Sequence, residues 1–414
     1  MAGFRSALVA AAFLAAGSAQ AAGKGDPTDG LKLERMVLVM RHSVRPPTKA
    51  VATPAGTTAQ PWGTWTTPYG ELTAHGAAGA RLMGAYYRAF LGARGLLPRE
   101  GCAAPGDIVS WASGKSRAIK TAEAFAETLQ PGCGLKVAHP ESEADDPIFH
   151  PAEGIDGDIA LKAALRQKPG VAAEAKRRAK EFAVLQRVLG CDPVTKAGCG
   201  IADKPSRLTA AQNDTPNLEG ALSVASTAGQ TILLEYVEGK PMSEVGWGRA
   251  SKADIQAMLR FHTVKFHYEV GAPYVAQRYA APIAKEILAA LDGASGTGAK
   301  LTLLTGHDTN IAALRGFLDA HFTAADYPQD DPPPGGAMGF ELLRSADGKA
   351  YVRAFYTAQS MDQLRELQPL TAANPPAYAY FPIPGCAVKG QPTLCPLETF
   401  KTIVGGKLKT PARN

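Results

Sequence analysis

The stretch MVLVMRHSVRPPTK (36–49) limits the fold more than any other part of the chain. Its five apolar residues, MVLVM, have the length and composition of a short buried strand. The strand runs straight into Arg41, His42 and Arg45. Cations that close repel one another, so they are either well solvated or gathered around an anion. Two other apolar runs behave alike. DIVSWAS (107–113) leads into SRAIKTAEAFAETL (116–129), where Ile119, Ala122, Phe125, Ala126 and Leu129 recur at helical spacing. KLTLLTG (300–306) leads into NIAALRGFLDAHF (310–322). AMGFELLR (337–344) and KAYVRAFYT (349–357) read as paired strands around SADG. Strands feeding helices at both ends of the chain predict an α/β fold, a central sheet flanked by helices.

The middle is different. From about residue 157 to 290 the pattern is almost wholly helical, in segments such as VAAEAKRRAKEFAVLQRVL and SKADIQAMLRFHTVKFHYEV, with little that resembles a strand. This predicts an α/β domain over 22–156 and 292–414, with a smaller, mostly helical domain inserted at 157–291. PQDDPPPGG (328–336) reads as a stiff loop and DGD (156–158) as a turn into the first middle helix.

At the N-terminus, MAGFRS carries one positive charge, ALVAAAFLAA is a short apolar run, and GSAQA ends in small residues. That order is a secretory signal peptide over 1–21, cut near Ala21. The apolar run is far short of the roughly 20 residues a membrane span needs, so no membrane insertion is expected. The location implied is periplasmic or secreted. The six cysteines then read as disulfides, and sequence order suggests Cys102–Cys133, Cys191–Cys199 and Cys386–Cys395. Zinc is disfavoured, since there is no C-x-x-C and no histidine at ligand spacing. The net charge of +6 mildly favours anionic ligands. No dense Lys/Arg run interleaved with aromatics points to nucleic acid.

Three places combine a strand end, a turn and polar residues: RHSVRPPTK (41–49), SGKSRAIKT (113–121) and TGHDTN (305–310). Ligands of open α/β sheets bind at the carboxyl ends of strands, so the three can converge. The joint site would hold Arg41, Arg45, Arg117, His42, His307 and Asp308. Guanidinium groups grip phosphate oxygens bidentately, and a small-molecule phosphate monoester supplies the charge that three of them need. Neutral His42 can attack phosphorus, with nearby arginines holding its pKa down, and Asp308 can protonate the leaving alcohol. Activity in acid is expected, with no cofactor and no metal. Singly, Arg41 and Arg45 would read as surface cations and His307-Asp308 as a helix cap; the conjunction carries the case. His75, His139, His150, His262, His267 and His321 have no such setting and read as structural or surface residues.

RHSVRPP with a distant HD resembles the histidine acid phosphatases, the second branch of the histidine phosphatase superfamily, whose signature is R-H-G-x-R-x-P with a late H-D. WGTW (62–65), GELTAHG (70–76), DPIFHP (146–151), GALSVAS (220–226), GWGR (246–249), TGHDTN and PPGG (333–336) follow in the order that family leads one to expect, over nearly the whole mature chain. In detail the chain is similar to periplasmic members that act as phytases, which carry R-H-G-V-R-x-P-T-K and G-H-D-T-N. The resemblance implies His42 as nucleophile, Asp308 as proton donor, and Arg41, Arg45, Arg117 and His307 as phosphate ligands. It implies that Thr48 and Lys49 touch substrate. Glucose-1-phosphatases, which typically lack the Thr-Lys pair, and broad acid phosphatases are the alternatives. Ser43 stands where the family has glycine, and would be strained if that position needs positive φ. That replacement is the one feature favouring a non-catalytic phosphate-ester binder.

Overall fold

The computed structural model of the chain describes residues 30–409 except 151–153, 193, 196–198, 202–203, 212–214 and 294–297. Residues 1–21, read from the sequence as a signal peptide, lie outside the described residues. The elements run β1 (Lys32–Arg41), α1 (Ala74–Ala93), β2 (Ile108–Ala112), α2 (Ser116–Leu129), α3 (Gly157–Leu165), α4 (Val171–Arg177), α5 (Ala179–Val188), β3 (Arg207–Thr209), β4 (Asn217–Glu219), α6 (Ala221–Val237), α7 (Lys252–Glu269), α8 (Pro273–Asp292), β5 (Leu301–Gly306), α9 (Asp308–Leu318), β6 (Ala337–Arg344), β7 (Ala350–Ala358), α10 (Met361–Arg365), β8 (Ala377–Phe381), β9 (Leu394–Pro396) and α11 (Leu397–Lys409).

The main sheet is mixed, in the order β2-β5-β1-β6-β7-β8, with β9 also on β7. β1 is longer than the apolar run because Lys32–Arg35 also pair with β6. Alternation sorts its side chains. Val37 and Val39 enter one core with residues of α8, α9 and α11, and Met36, Leu38 and Met40 enter the other with Met83 and Tyr87 of α1 and Phe125 of α2. Both faces are covered, which is why MVLVM is apolar throughout. Each such buried side chain contributes roughly 1.5–3 kcal/mol.

A third core joins α5, α6 and α7 through Leu185, Ile232, Leu233, Met258 and Phe261. The helical stretch departs from expectation in three ways. A two-stranded ribbon, β3 with β4, lies within it. VAAEAKRRAKEFAVLQRVL is broken at Arg178 into α4 and α5. And α8 packs on the main sheet: Val275, Ile283 and Ile287 share a core with Val37, Leu304 and Phe340. We therefore propose that the helical unit ends before α8, near residue 272, rather than at 291. An amphipathic pattern shows that a helix has a buried face but not which core receives it.

Disulfides join Cys102 to Cys133, Cys191 to Cys199 and Cys386 to Cys395. Three disulfides suit an oxidising, extracytoplasmic compartment. Among the described residues no helix is long and apolar enough to cross a membrane.

Candidate active site

Strand register assembles the site. β1 and β2 both run parallel to β5, with Arg41 opposite Gly306, and Met40 and Ala112 both opposite Thr305. Three carboxyl ends therefore stop at one level, and the polar segments after them meet. His42 N–H donates to Gly306 O (2.9 Å) and Ser113 N–H to Thr305 O (2.8 Å). β6 adds a fourth segment, with Arg41 N–H bonded to Gly336 O and Gly335 N–H to His42 O.

His42 is buried, with its ring 5.5 Å from that of His307. Its Nδ1 lies 2.8 Å from Ser43 O, which makes Nδ1 the protonated nitrogen and leaves the lone pair on Nε2. Burial, then Arg45, Arg117, His307 and Arg41, hold His42 well below the usual histidine range. Burial, reinforced by Arg117 and opposed by Asp308, pushes His307 down to about 3. Its Nε2 meets Ser113 Oγ at 3.1 Å. Burial and Arg41 together lower Arg45 to about 10. Arg41 is anchored by Pro332 O (2.5 Å) and Gln230 Oε1 (3.2 Å), and its Nη2 pairs with Asp308 Oδ2 at 2.9 Å. Burial pushes Asp308 up, but Arg41, His262 and His42 outweigh it and hold the carboxyl well below the ordinary range. Nε of each of Arg41, Arg45 and Arg117 is buried without a hydrogen-bond partner among the described residues.

Arg41, Arg45, Thr48, Lys49 and Asp308 line one cleft of about 310 Å³, closed on the other side by Gln230, His262, Lys265 and Glu269 of α6 and α7. Arg117, in the first turn of α2, stands close enough for its charge to act on both His42 and His307. Thr121 ties that helix to the first segment, accepting from Ser43 N–H (3.1 Å) and donating to Arg117 O (2.7 Å). α9 begins two residues earlier than the helical spacing suggested, so His307 is its N-cap and Asp308 its first residue. Asn310 fixes this turn: its Oδ1 accepts from His307 N–H and its Nδ2 donates to Phe149 O, each at 2.9 Å. The segment beyond Lys49 is held by WGTW packing on GWGR, with Trp62 against Trp247 at 4.8 Å and Trp247 Nε1–H donating to Pro61 O.

Ser43 does not have a positive φ, so serine is unstrained there. The left-handed conformation falls instead on Gly335, whose φ is +72°, beside the Ser43 hydroxyl.

His262, read from the sequence as a structural or surface residue, is not on the surface. It is buried in the cleft wall, with Nδ1 2.6 Å from Asp331 Oδ1 and Nε2 3.7 Å from Asp308 Oδ2. Nothing local marked it, because it sits in mid-helix without a strand end or turn. Asp331 was passed over inside the proline-rich loop. Among the described residues, no group of three or more His, Cys, Asp or Glu is arranged to hold a metal ion.

The chain is similar to known proteins along most of its length. The family model of the histidine phosphatase superfamily (branch 2) matches residues 32–357. The phytase AppA of Escherichia coli (strain K12) is 33% identical over 90% of this chain and 91% of its own. A glucose-1-phosphatase of Salmonella typhimurium is 30% identical over 92% and 94%. A Hafnia alvei phytase in complex with myo-inositol hexakis sulphate superimposes with a TM-score of 0.84 at 31% identity, covering 91% of this chain and 97% of that one. The chain belongs to branch 2 of the histidine phosphatase superfamily.

Proposed function

We propose that the protein is a periplasmic or secreted phosphomonoesterase that works in acid through a phosphohistidine on His42, with inositol hexakisphosphate as its substrate class. The observation that carries this reading is a buried, neutral His42 with three arginines around it and a carboxyl group across the cleft. Nε2 of His42 attacks phosphorus in line. Arg41, Arg45, Arg117 and neutral His307 hold the non-bridging oxygens, where charge changes during transfer. Asp308 protonates the leaving alcohol, then takes a proton from the water that releases phosphate. A bound dianion offsets Arg41 and raises the affinity of Asp308 for a proton. Thr48 and Lys49 face the rest of the substrate, where Lys49 offers a charge to a second phosphate. The second reading, a glucose-1-phosphatase or broad acid phosphatase, is favoured by the similarity to the Salmonella typhimurium enzyme along most of both chains.

Rates on phytate, glucose 1-phosphate and p-nitrophenyl phosphate, measured from about pH 3 to 8, test this. All rates should peak on the acid side of the ordinary histidine pKa of about 6.5, because the depressed pKa of His42 keeps its lone pair free there. Fast phytate turnover supports the first reading. Turnover of glucose 1-phosphate without phytate moves the assignment to the second. No turnover of any ester by folded protein leaves a phosphate-ester binder.

Gly306, the last residue of β5 and next to His307, is a sensitive point. A Cβ there would meet Phe149 Cδ1 at 2.4 Å and Asn310 Oδ1 at 2.9 Å. Gly306→Ala should displace the His307-Asp308 turn and lower kcat about 100-fold, with stability falling by about 1–3 kcal/mol. Steady-state kinetics and thermal melting check both. Unchanged kcat would mean that the turn tolerates the shift.

A further inference from the structure

Asp308 rests as a carboxylate beside Arg41. Arg41 and His262 hold this carboxyl ionised, yet it has to deliver a proton. His262, in the wall of the cleft, is placed to supply it. His262 lies on α7 between two carboxylates, 2.6 Å from Asp331 Oδ1 through Nδ1 and 3.7 Å from Asp308 Oδ2 through Nε2. The Asp331 side chain is wholly buried, and its second oxygen has no hydrogen-bond partner among the described residues. The Arg41 bond to Pro332 O fixes the loop that carries it.

We propose that His262 is a positioning residue that stores, as imidazolium, the proton delivered by Asp308, and recovers it in the second half of the reaction. This rests on the phosphomonoesterase reading. In the first step the N–P bond to His42 forms and the ester P–O bond breaks. The ionised Asp308 takes the Nε2 proton of His262 on Oδ2 and passes it to the departing oxygen. Phosphohistidine, neutral His262, ionised Asp308 and free alcohol remain. In the second step water oxygen bonds to phosphorus and the N–P bond breaks. The water proton passes through Asp308 back to His262, and inorganic phosphate leaves.

The charges around His262 favour a stored proton. Asp308 faces it from α9 and Asp331 from the loop before β6. Glu269, on its own helix, adds a third carboxyl group to the cleft. Among the cations, Arg41 of β1 pairs with Asp308 rather than with the imidazole, Lys265 turns toward Glu269 at 3.7 Å, Arg45 and Lys49 line the cleft beside Thr48, and His42 is neutral. Gln230 and Thr231 of α6 are uncharged, and the Phe266 ring meets the imidazole edge-on at 4.4 Å. Tyr327 and Tyr356, near Asp331, are kept neutral by burial. Burial alone would push His262 down, but its interactions with the two aspartates outweigh that and hold it above the usual histidine range. The 3.7 Å gap exceeds a hydrogen bond of about 2.7–3.2 Å. It can close when Arg41 turns from Asp308 to a bound phosphate, as catalytic contacts often tighten on substrate binding.

The test compares His262→Gln and Asp331→Asn with wild type on two esters across pH. p-Nitrophenyl phosphate has a leaving group that needs little protonation, whereas 2-glycerophosphate releases an alkoxide that needs a full proton. On 2-glycerophosphate both variants should lose about 10- to 100-fold in kcat, within or below the usual worth of a general acid, with KM little changed. On p-nitrophenyl phosphate the loss should be under about threefold, because the proton matters less there. In Asp331→Asn the alkaline limb of the kcat profile should move to lower pH, since the stored proton is then held less firmly. Equal losses on both esters, or no loss on either, would make His262 structural and overturn the proposal. If His262→Gln does not fold, the near-isosteric Asp331→Asn decides alone. A wild type inactive on both esters would instead overturn the phosphomonoesterase reading itself.

Discussion

His42→Ala should abolish turnover, with kcat falling roughly 10⁴-fold or more, as when an enzyme loses its nucleophile. Nothing else in the cleft can replace it. His307 faces Ser113 and stands at the N-cap of α9, His262 is held between Asp331 and Asp308, and the other charged groups lining the cleft are arginines, lysines and carboxylates. The fold should survive. The His42 ring contributes to none of the three apolar cores, and its Nδ1 bond is to the carbonyl of the adjacent residue. Affinity for inorganic phosphate should persist, because Arg41, Arg45 and Arg117 remain and lose no partner. The measurement is kcat beside phosphate affinity by calorimetry, with rapid-quench labelling from a radioactive ester. Wild type should carry protein-bound phosphate and the variant none. A variant that keeps more than about a hundredth of the rate would mean direct attack by water, and the covalent mechanism would fall.

What the sequence made legible, and what it hid, follows from the range of the interactions. Arg41, His42, Arg117, His307 and Asp308 each stand just after an apolar run or at a helix start, so a local pattern announced them. Parallel register then brought them to one level without further information. His262 has no local mark. Its meaning comes from Asp331 and Asp308, which approach it because α7 packs against α9 and against the loop before β6. The same limit explains α8, whose periodicity reveals a buried face while the choice of core is made by packing against Val37 and Phe340. It also explains the ribbon of β3 and β4, whose three-residue strands are too short to alternate visibly. Ser43 was misleading for the opposite reason. A motif glycine suggested a positive φ, but in this chain that conformation falls on Gly335.

Asp308→Asn should separate binding from chemistry. Asparagine keeps the shape and can still accept from Thr309 N–H, but it carries no transferable proton. On alkyl esters kcat should fall about 10²–10⁴-fold, with a smaller loss on p-nitrophenyl phosphate, where only the water step still needs the carboxylate. Arg41 keeps Pro332 O and Gln230 Oε1, so the loss of stability should stay near 1–3 kcal/mol. Phosphate affinity should move the other way. The carboxylate pairs with Arg41 at 2.9 Å and repels an incoming dianion, and two unit charges about 4 Å apart interact by roughly 4 kcal/mol at an effective dielectric constant of 20. Even a fraction of that, returned on removing the charge, should lower Kd for inorganic phosphate by about tenfold or more. Kinetics on both esters and calorimetry with phosphate check the pair of effects; unchanged kcat on alkyl esters would remove Asp308 from the proton path. The opposed signs would explain why a cleft rich in cations keeps an anion at its centre. A carboxylate here weakens the bound ground state, and it is worth keeping only if what it gives the departing alcohol in the transition state is larger.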